Sequence, residues 1–153
     1  MPQGAQSSSE AGGPSALSRW IQLRMNARAV TRFRRKGGQF MGMDLLVLHT
    51  VGSRSGRPRQ SPLAWFADGD DAWLIVASGG GKRNPDWYAN MMAHPDNTAV
   101  ELHGGDPIPV APHRLDGDDR AEVWKRIVRN QPRYGQYQKK SERQYPVVRL
   151  TRR

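Results

Sequence analysis

Residues 43–78 read MDLLVLHTVGSRSGRPRQSPLAWFADGDDAWLIVAS, and this stretch decides the fold. Met43 to Thr50 is an apolar, strand-like run. Gly52 to Pro58 interrupts it with two glycines and a proline, which is turn chemistry. Arg59 to Ala67 reads as the return strand. Asp68-Gly69-Asp70 is the next tight turn, before a buried strand over Ala72 to Ser78. Further along, Asn97 to His103 and Ile108 to Leu115 form a hairpin around Gly104-Gly105, and Gln144 to Thr151 supplies a last strand. Six short strands with hairpin connections, mostly antiparallel, predict an α+β, mainly β architecture: a small barrel with flanking helices. There is no strand–helix–strand alternation, which argues against a doubly wound nucleotide fold.

Helical segments fill the gaps. Leu17 to about Lys36 carries an interrupted apolar face of Trp20, Ile21, Val30 and Phe33, with seven basic residues and no acidic one from Arg19 to Lys36. Such a helix suits a membrane surface or a polyanion, or simply a solvated face packed on the domain. Asn84 is placed to cap a second helix, with Pro85 in its first position, Asp86 at its positive end and a stop before Pro95. Asp116 is placed to cap a third helix reaching Asn130, and a short helix follows over Tyr134 to Lys140. Residues 1–16, rich in Ser, Gly, Gln and Pro, are expected to be a disordered tail, leaving 17–153 as one domain.

Composition narrows the chemistry. The absence of cysteine excludes disulfides, thiolate metal sites and Cys nucleophiles, and fits a cytoplasmic setting. A net charge of +10 predicts an anionic partner. Arginine outnumbers lysine 19 to 5. A GC-rich coding sequence explains that preference, but explains the net excess of positive charge less well. His49, His94, His103 and His113 show no metal-ligand spacing, no Gly-x-Ser-x-Gly elbow exists, and the acidic residues fall mostly in turns or on helix faces. An enzyme built this way needs a cofactor to carry the hard chemistry.

Two segments are suited to an anion. Gly52 to Arg59 is a glycine-flanked turn ringed by Arg54, Arg57 and Arg59; its bland alternative is an ordinary basic hairpin turn. Ser78-Gly79-Gly80-Gly81-Lys82-Arg83-Asn84-Pro85 leads from a strand into a helix N-terminus, but its glycine spacing is not that of a Walker loop. Trp87, Tyr88, Tyr134 and Tyr137 offer flat rings for a heterocycle, or core packing. Met91, one helical turn beyond Trp87, reads as core.

Taken in order, Thr50-x-Gly52-x-Arg54-Ser55-Gly56-x-Pro58-Arg59-x-x-Pro62-Leu63, then Ser78-x-Gly80-Gly81 with Asn84-Pro85-x-Trp87-Tyr88-x-Asn90, a His-Pro before the next strand and Tyr134-x-x-Tyr137 resemble the deazaflavin-dependent nitroreductase family. The match covers nearly the whole chain after Leu17. The resemblance implies a split β-barrel and coenzyme F-420 as cofactor, with FMN as the alternative that other split barrels use. It implies that hydride passes from the reduced coenzyme to a small organic acceptor such as a quinone, enone or nitro compound.

Carried over by position, the resemblance places the coenzyme's phosphate and oligoglutamate tail at Ser53, Arg54, Ser55, Arg59, Gln60, Ser61 and Pro62. The deazaflavin ring would lie along Val76, Ala77, Ser78 and Gly79, the pocket being completed by Asp86, Trp87, Tyr88, Ala89 and Asn90. Tyr134 and Tyr137 would cover the ring, with Tyr137, Tyr134 and Ser78 as catalytic candidates and no metal. Many relatives carry Lys where this chain has Gly79, and Ser53 and Gln131 are further departures that weaken a nitroimidazole substrate. Expected partners are the electron acceptor, a second copy of the chain as a homodimer, and a membrane touched peripherally through residues 17–36. The rival readings are a cofactor- or lipid-binding barrel without catalysis and a nucleic-acid binder, for which no recognised motif is present.

Overall fold

The computed structural model describes residues 16–40, 42–79 and 81–153. In chain order they form α1 (Ala16–Lys36), β1 (Gln39–Phe40), β2 (Met43–Val51), β3 (Pro58–Ala64), β4 (Phe66–Ala67), β5 (Ala72–Val76), α2 (Asp86–Ala93), a 3-10 turn (Pro95–Asn97), β6 (Ala99–Glu101), β7 (Ile108–Arg114), α3 (Gly117–Asn130), α4 (Pro132–Lys140) and β8 (Val147–Arg152). The tail expected over residues 1–16 lies outside the described residues, except that Ala16 opens α1.

All strand pairs are antiparallel. The sheet runs β2-β6-β7-β8-β5-β4, and β3 pairs the other side of β2. β3 and β4 are one run of chain parted only at Trp65, so the circuit closes into a barrel. Arg59 to Ala67 is therefore not the single straight strand expected. Its first part pairs β2 (Leu46 with Leu63, Leu48 with Ser61), and its end pairs β5 (Phe66 with Leu74). Between them the Trp65 amide still donates to the carbonyl of its β2 partner in register, Asp44, at 3.2 Å. A strand that serves two neighbours has to bend, because closing a barrel requires tilt and coiling of the strands.

Alternation along the strands sorts the core. Leu46 and Leu48 of β2, Trp73 and Ile75 of β5, and Val148 and Leu150 of β8 point into the barrel. The intervening Leu74, Val76 and Val147 point outward, where Val123 and Ile127 of α3 and Tyr134 of α4 cover them. Val47, also outward, is covered by Val30 and Phe33 of α1. Of the apolar face expected on α1, Val30 and Phe33 are buried, Ile21 is exposed, and the Trp20 side chain lies outside the described residues.

A buried carboxylate fastens α1. Glu101 accepts two hydrogen bonds from Arg34, at 2.8 and 2.9 Å, and sits 3.0 Å from His49 Nε2. The bond from Arg34 holds the Glu101 carboxyl below its ordinary range despite the opposing effect of burial.

Several boundaries move. β5 ends at Val76 rather than Ser78, because the next partner in register, Pro146, accepts from the Ala77 amide at 2.9 Å but has no N–H to return. The strand expected over Asn97 to His103 shortens to Ala99–Glu101, since Pro95–Asn97 form a helical turn. The last strand begins at Val147, after Pro146, and α4 begins at Pro132, whose ring suits a first helical turn. Asp116 does occupy the cap position of α3, but no side-chain capping bond forms there.

Candidate functional site

The two basic bends are both fastened to α2. In the first, Gly52 N–H donates to the Arg57 carbonyl (2.8 Å) and Gly56 N–H to the Gly52 carbonyl (2.9 Å), which closes the turn. A Cβ on Gly52 would lie 2.4 Å from Ser55 Oγ, so a side chain there would make that hydroxyl rotate away from the Arg57 amide whose hydrogen bond it accepts. The Ser53 amide then donates to Oδ1 of buried Asn90 at 2.9 Å, and His94 Nε2 lies 3.3 Å from the Ser53 carbonyl. The turn is thus moored to α2 by its backbone. The side chains of Arg54 and Arg57 are exposed.

The strand after this turn presents two faces. Arg59 and Ser61 pair with Thr50 and Leu48 and share the barrel-facing side. Gln60 and Pro62 pair with His49 and Val47 and share the side toward α1. The seven positions expected at the coenzyme tail therefore split. Ser53, Arg54, Ser55, Arg59 and Ser61 belong to the turn and the barrel side, while Gln60 and Pro62 reach a ligand there only through their backbone.

The second bend, from Ala77 to Asn84, follows β5 and enters α2. Its organiser is Arg143, in the connection between α4 and β8. Arg143 donates to the carbonyls of Ala77 (2.9 Å), Ser78 (3.4 Å), Gly79 (2.6 Å) and Gly81 (3.1 Å) and to Asn84 Oδ1 (3.0 Å). Asn84 is thereby drawn away from the capping role expected of it: Pro85 holds the cap position of α2 and no side chain caps it. Sequence reading missed Arg143. It sits in the featureless polar run Ser141-Glu142-Arg143-Gln144, in a chain with 19 arginines, and no local pattern marks it out.

Of the helix residues expected in the pocket, Trp87 and Tyr88 are each 8% exposed and pack with Met91 among the barrel's interior side chains. Asn90 is buried, whereas Asp86 and Ala89 stand at the surface. The barrel is thus filled from this end, with the exposed Gly79 and Gly81 at its rim. The space there is open, since a Cβ on Gly79 or Gly81 would meet no heavy atom within 4 Å. Val76 and Ala77 straddle the wall, Val76 facing α4 and Ala77 facing the interior.

The late tyrosines take different environments. Tyr134 is buried edge-on against Phe66 (5.6 Å between ring centres) and Tyr137 (6.2 Å). Burial raises its phenol above the ordinary value, so it stays protonated through neutral pH. Tyr137 is 42% exposed, and its carbonyl accepts a hydrogen bond from the Tyr145 hydroxyl at 3.0 Å. A cleft of about 660 Å3 opens elsewhere, lined by Phe33, Gly38, Asp44, Trp65 and His103 among others, and includes none of the expected site residues. The described residues contain no cluster of three or more metal-ligating side chains, and no described helix is long and apolar enough to cross a membrane.

An antiparallel barrel closed by one bent strand, flanked by helices and bearing two basic bends at one end, is a split β-barrel, an architecture to which deazaflavin-using oxidoreductases belong. The family model for F420H(2)-dependent quinone reductase matches residues 20–152, and the chain belongs to that family. An F420H(2)-dependent quinone reductase of Mycobacterium tuberculosis strain H37Rv is 43% identical over 113 residues, covering 71% of this chain and 73% of its own length. A solved F420-H2 dependent reductase, FDR-A, superposes with a TM-score of 0.60 at 31% identity, covering 69% of this chain and 92% of its own. A second solved structure, described as a domain-swapped dimer, gives a TM-score of 0.62 at 27% identity, with 88% and 99% coverage. The protein is an F420-dependent reductase, and its cofactor is coenzyme F-420.

Proposed function

We propose that this reductase acts on small electron-poor acceptors of the quinone and enone type, at the rim between the two basic bends, α2 and Tyr137. The observation that carries the reading is that both bends meet one short helix: the first is moored to α2 through Ser53–Asn90, and the second, held by Arg143, runs straight into its start. Their cations fit a polyanionic tail: Arg54 and Arg57 stand exposed on one bend, and Lys82 and Arg83 on the other. Open space beside Gly79 fits a flat ring.

When bound, the reduced deazaflavin supplies a hydride. The chain's own residues bind the tail, orient the ring and exclude water from the acceptor face. Tyr137, a half-exposed residue, donates a hydrogen bond to the acceptor oxygen as that oxygen gains negative charge. Tyr134, held neutral by burial, supports that ring edge-on and is suited to donating a proton rather than removing one.

The test follows oxidation of reduced F-420 against quinones, enones and nitroaromatics, with wild type, Arg59→Ala and Tyr137→Phe. We expect turnover with quinones, a raised KM for coenzyme in Arg59→Ala and a lowered kcat in Tyr137→Phe. Coenzyme binding without turnover of any acceptor would favour a binder instead.

Two finer readings belong here. Exposed Leu17, Ile21 and Met25 recur at four-residue spacing along α1, beside the basic line Arg28, Arg32 and Arg35, which supports peripheral contact with an anionic membrane. Equal co-sedimentation with anionic liposomes of the full chain and of a chain lacking α1 would remove it. A homodimer is supported by the relative described as a domain-swapped dimer; light scattering giving a monomer mass would remove that.

A further inference from the structure

We propose that Arg143 is the positioning residue of the coenzyme site, turning the backbone amides of Gly79 and Lys82, in the connection from β5 to α2, outward to receive anionic oxygen. The inference rests on the functional reading above and deepens it.

The geometry is specific. Five hydrogen bonds from Arg143 match the five N–H donors of a guanidinium, and four of them end on consecutive or near-consecutive carbonyls of one bend. In a planar trans peptide, a carbonyl and the following N–H point to opposite sides. Carbonyls of Ala77, Ser78 and Gly81 gathered on the guanidinium therefore send the amides of Ser78, Gly79 and Lys82 the other way. The Ser78 amide is taken by the Val76 carbonyl at 3.0 Å. Among the described residues no backbone carbonyl accepts from those of Gly79 and Lys82, and a Cβ on Gly79 or Gly81 would meet no heavy atom within 4 Å. Outward amides on a glycine bend that leads to a helix start form an anion-receptive rim. A glycine-rich bend without such a tether is costly to order on binding.

Arg143 is itself held. Its guanidinium stacks over Tyr145 at 4.9 Å, and the Tyr145 hydroxyl donates to the Tyr137 carbonyl. Gln138 of α4 donates to the Arg143 carbonyl (2.8 Å) and accepts from the Tyr145 amide (2.8 Å). This chain of contacts links the bend to the helix carrying Tyr137. A lysine has three donors on a single point and cannot span four carbonyls and an amide oxygen.

The test uses the full chain as wild type, Arg143→Lys, Arg143→Gln and Asn84→Ala. Exposed Lys82 and Arg83 provide an internal probe, because tryptic cleavage after them, read by fragment mass, reports opening of the bend without any coenzyme. We expect cleavage about tenfold faster in Arg143→Lys and Arg143→Gln, and a smaller increase in Asn84→Ala, which removes one bond of five. Titration by quenching of F-420 fluorescence should show Kd raised about tenfold in both Arg143 variants, the cost of lost preorganisation. Wild-type cleavage rates in Arg143→Gln would overturn the tether. Full recovery of both readouts in Arg143→Lys would overturn the forked geometry and leave charge alone. A loosened bend with unchanged Kd would overturn the role toward coenzyme. If the wild type itself leaves F-420 fluorescence unquenched, the functional reading falls and takes the coenzyme half of the proposal with it, while cleavage still decides the tether. Should Arg143→Gln fail to fold, the graded effect of Asn84→Ala decides.

Discussion

Replacing Asn90 by alanine separates the candidate site from the fold. Asn90 is 7% exposed, and its Oδ1 holds the Ser53 amide at 2.9 Å across 37 residues of sequence. Ser53 itself is exposed, so its freed N–H can turn to water. The stability cost therefore falls toward the lower part of the usual range for a lost hydrogen bond, about 0.5–1.5 kcal/mol. At roughly 2–4 °C per kcal/mol for a chain of this size, Tm should drop by only about 1–6 °C. Coenzyme binding should suffer more. The turn keeps its own bonds from Gly52 to Arg57 and from Gly56 to Gly52, so the variant loosens the equivalent of one ordered residue. Re-ordering it on binding costs about 1–2 kcal/mol, which weakens F-420 about five- to thirtyfold. Thermal circular dichroism and fluorescence-quenching titration on one preparation check both numbers. Affinity within twofold of wild type, with Tm lowered as expected, refutes the claim that the moored turn serves the coenzyme.

Two further substitutions probe the frame. In Glu101→Gln the charge-assisted bond from Arg34 is lost, at about 1–2 kcal/mol near neutral pH. Because the folded-state pKa of Glu101 is depressed, its contribution is complete above the unfolded value of about 4.3 and disappears as pH falls through the folded value. Melting curves at a series of pH values should therefore converge for wild type and variant below about pH 4; a constant gap down to pH 2 contradicts the linkage. Leu48→Ala empties a fully buried position inside the barrel and should cost about 2–5 kcal/mol by urea denaturation with the slope unchanged; a loss under 1 kcal/mol would mean that the barrel interior is packed differently.

The strands were legible because Leu45–Leu48 within Met43–Val51 and all of Ala72–Val76 are unbroken apolar runs, and the structure shows why. Both faces are covered, Leu46 and Leu48 by the barrel and Val47 by α1, so no polar alternation survives to tell one face from the other. That Gln60 and Pro62 face away from Arg59 and Ser61 follows from strand alternation alone; which pair faces the barrel is set by pairing with β2. The bend at Trp65 escaped notice because it is dictated by two partners, β2 and β5, and not by any local breaker. The glycines of both basic bends were visible as chemistry. The groups that fix those bends were not: Asn90 reaches back 37 residues to Ser53, and Arg143 reaches back 66 to Ala77. Sequence spacing carries local geometry, while a tether of this length is set only when the chain has folded.

Such tethers make the site a product of core packing. α2 plugs the barrel with Trp87, Tyr88 and Met91 on one side and carries Asn90 within the same eight residues. From Asp86, where the glycine bend enters, to Asn90, where the arginine turn is moored, the helix rises about 6 Å. The separation of the two anion-receptive bends is therefore fixed by one turn of helix whose position is fixed by the barrel's interior. α1 lies on the opposite side of β2, held by Arg34 and Glu101, and shares none of these contacts. Changes in the α2 plug must alter stability and coenzyme affinity together, whereas changes in the Arg34–Glu101 latch can alter stability alone. A basic bend binds a polyanion in isolation only weakly and without register. Here the register comes from the hydrophobic side of the helix that both bends grip.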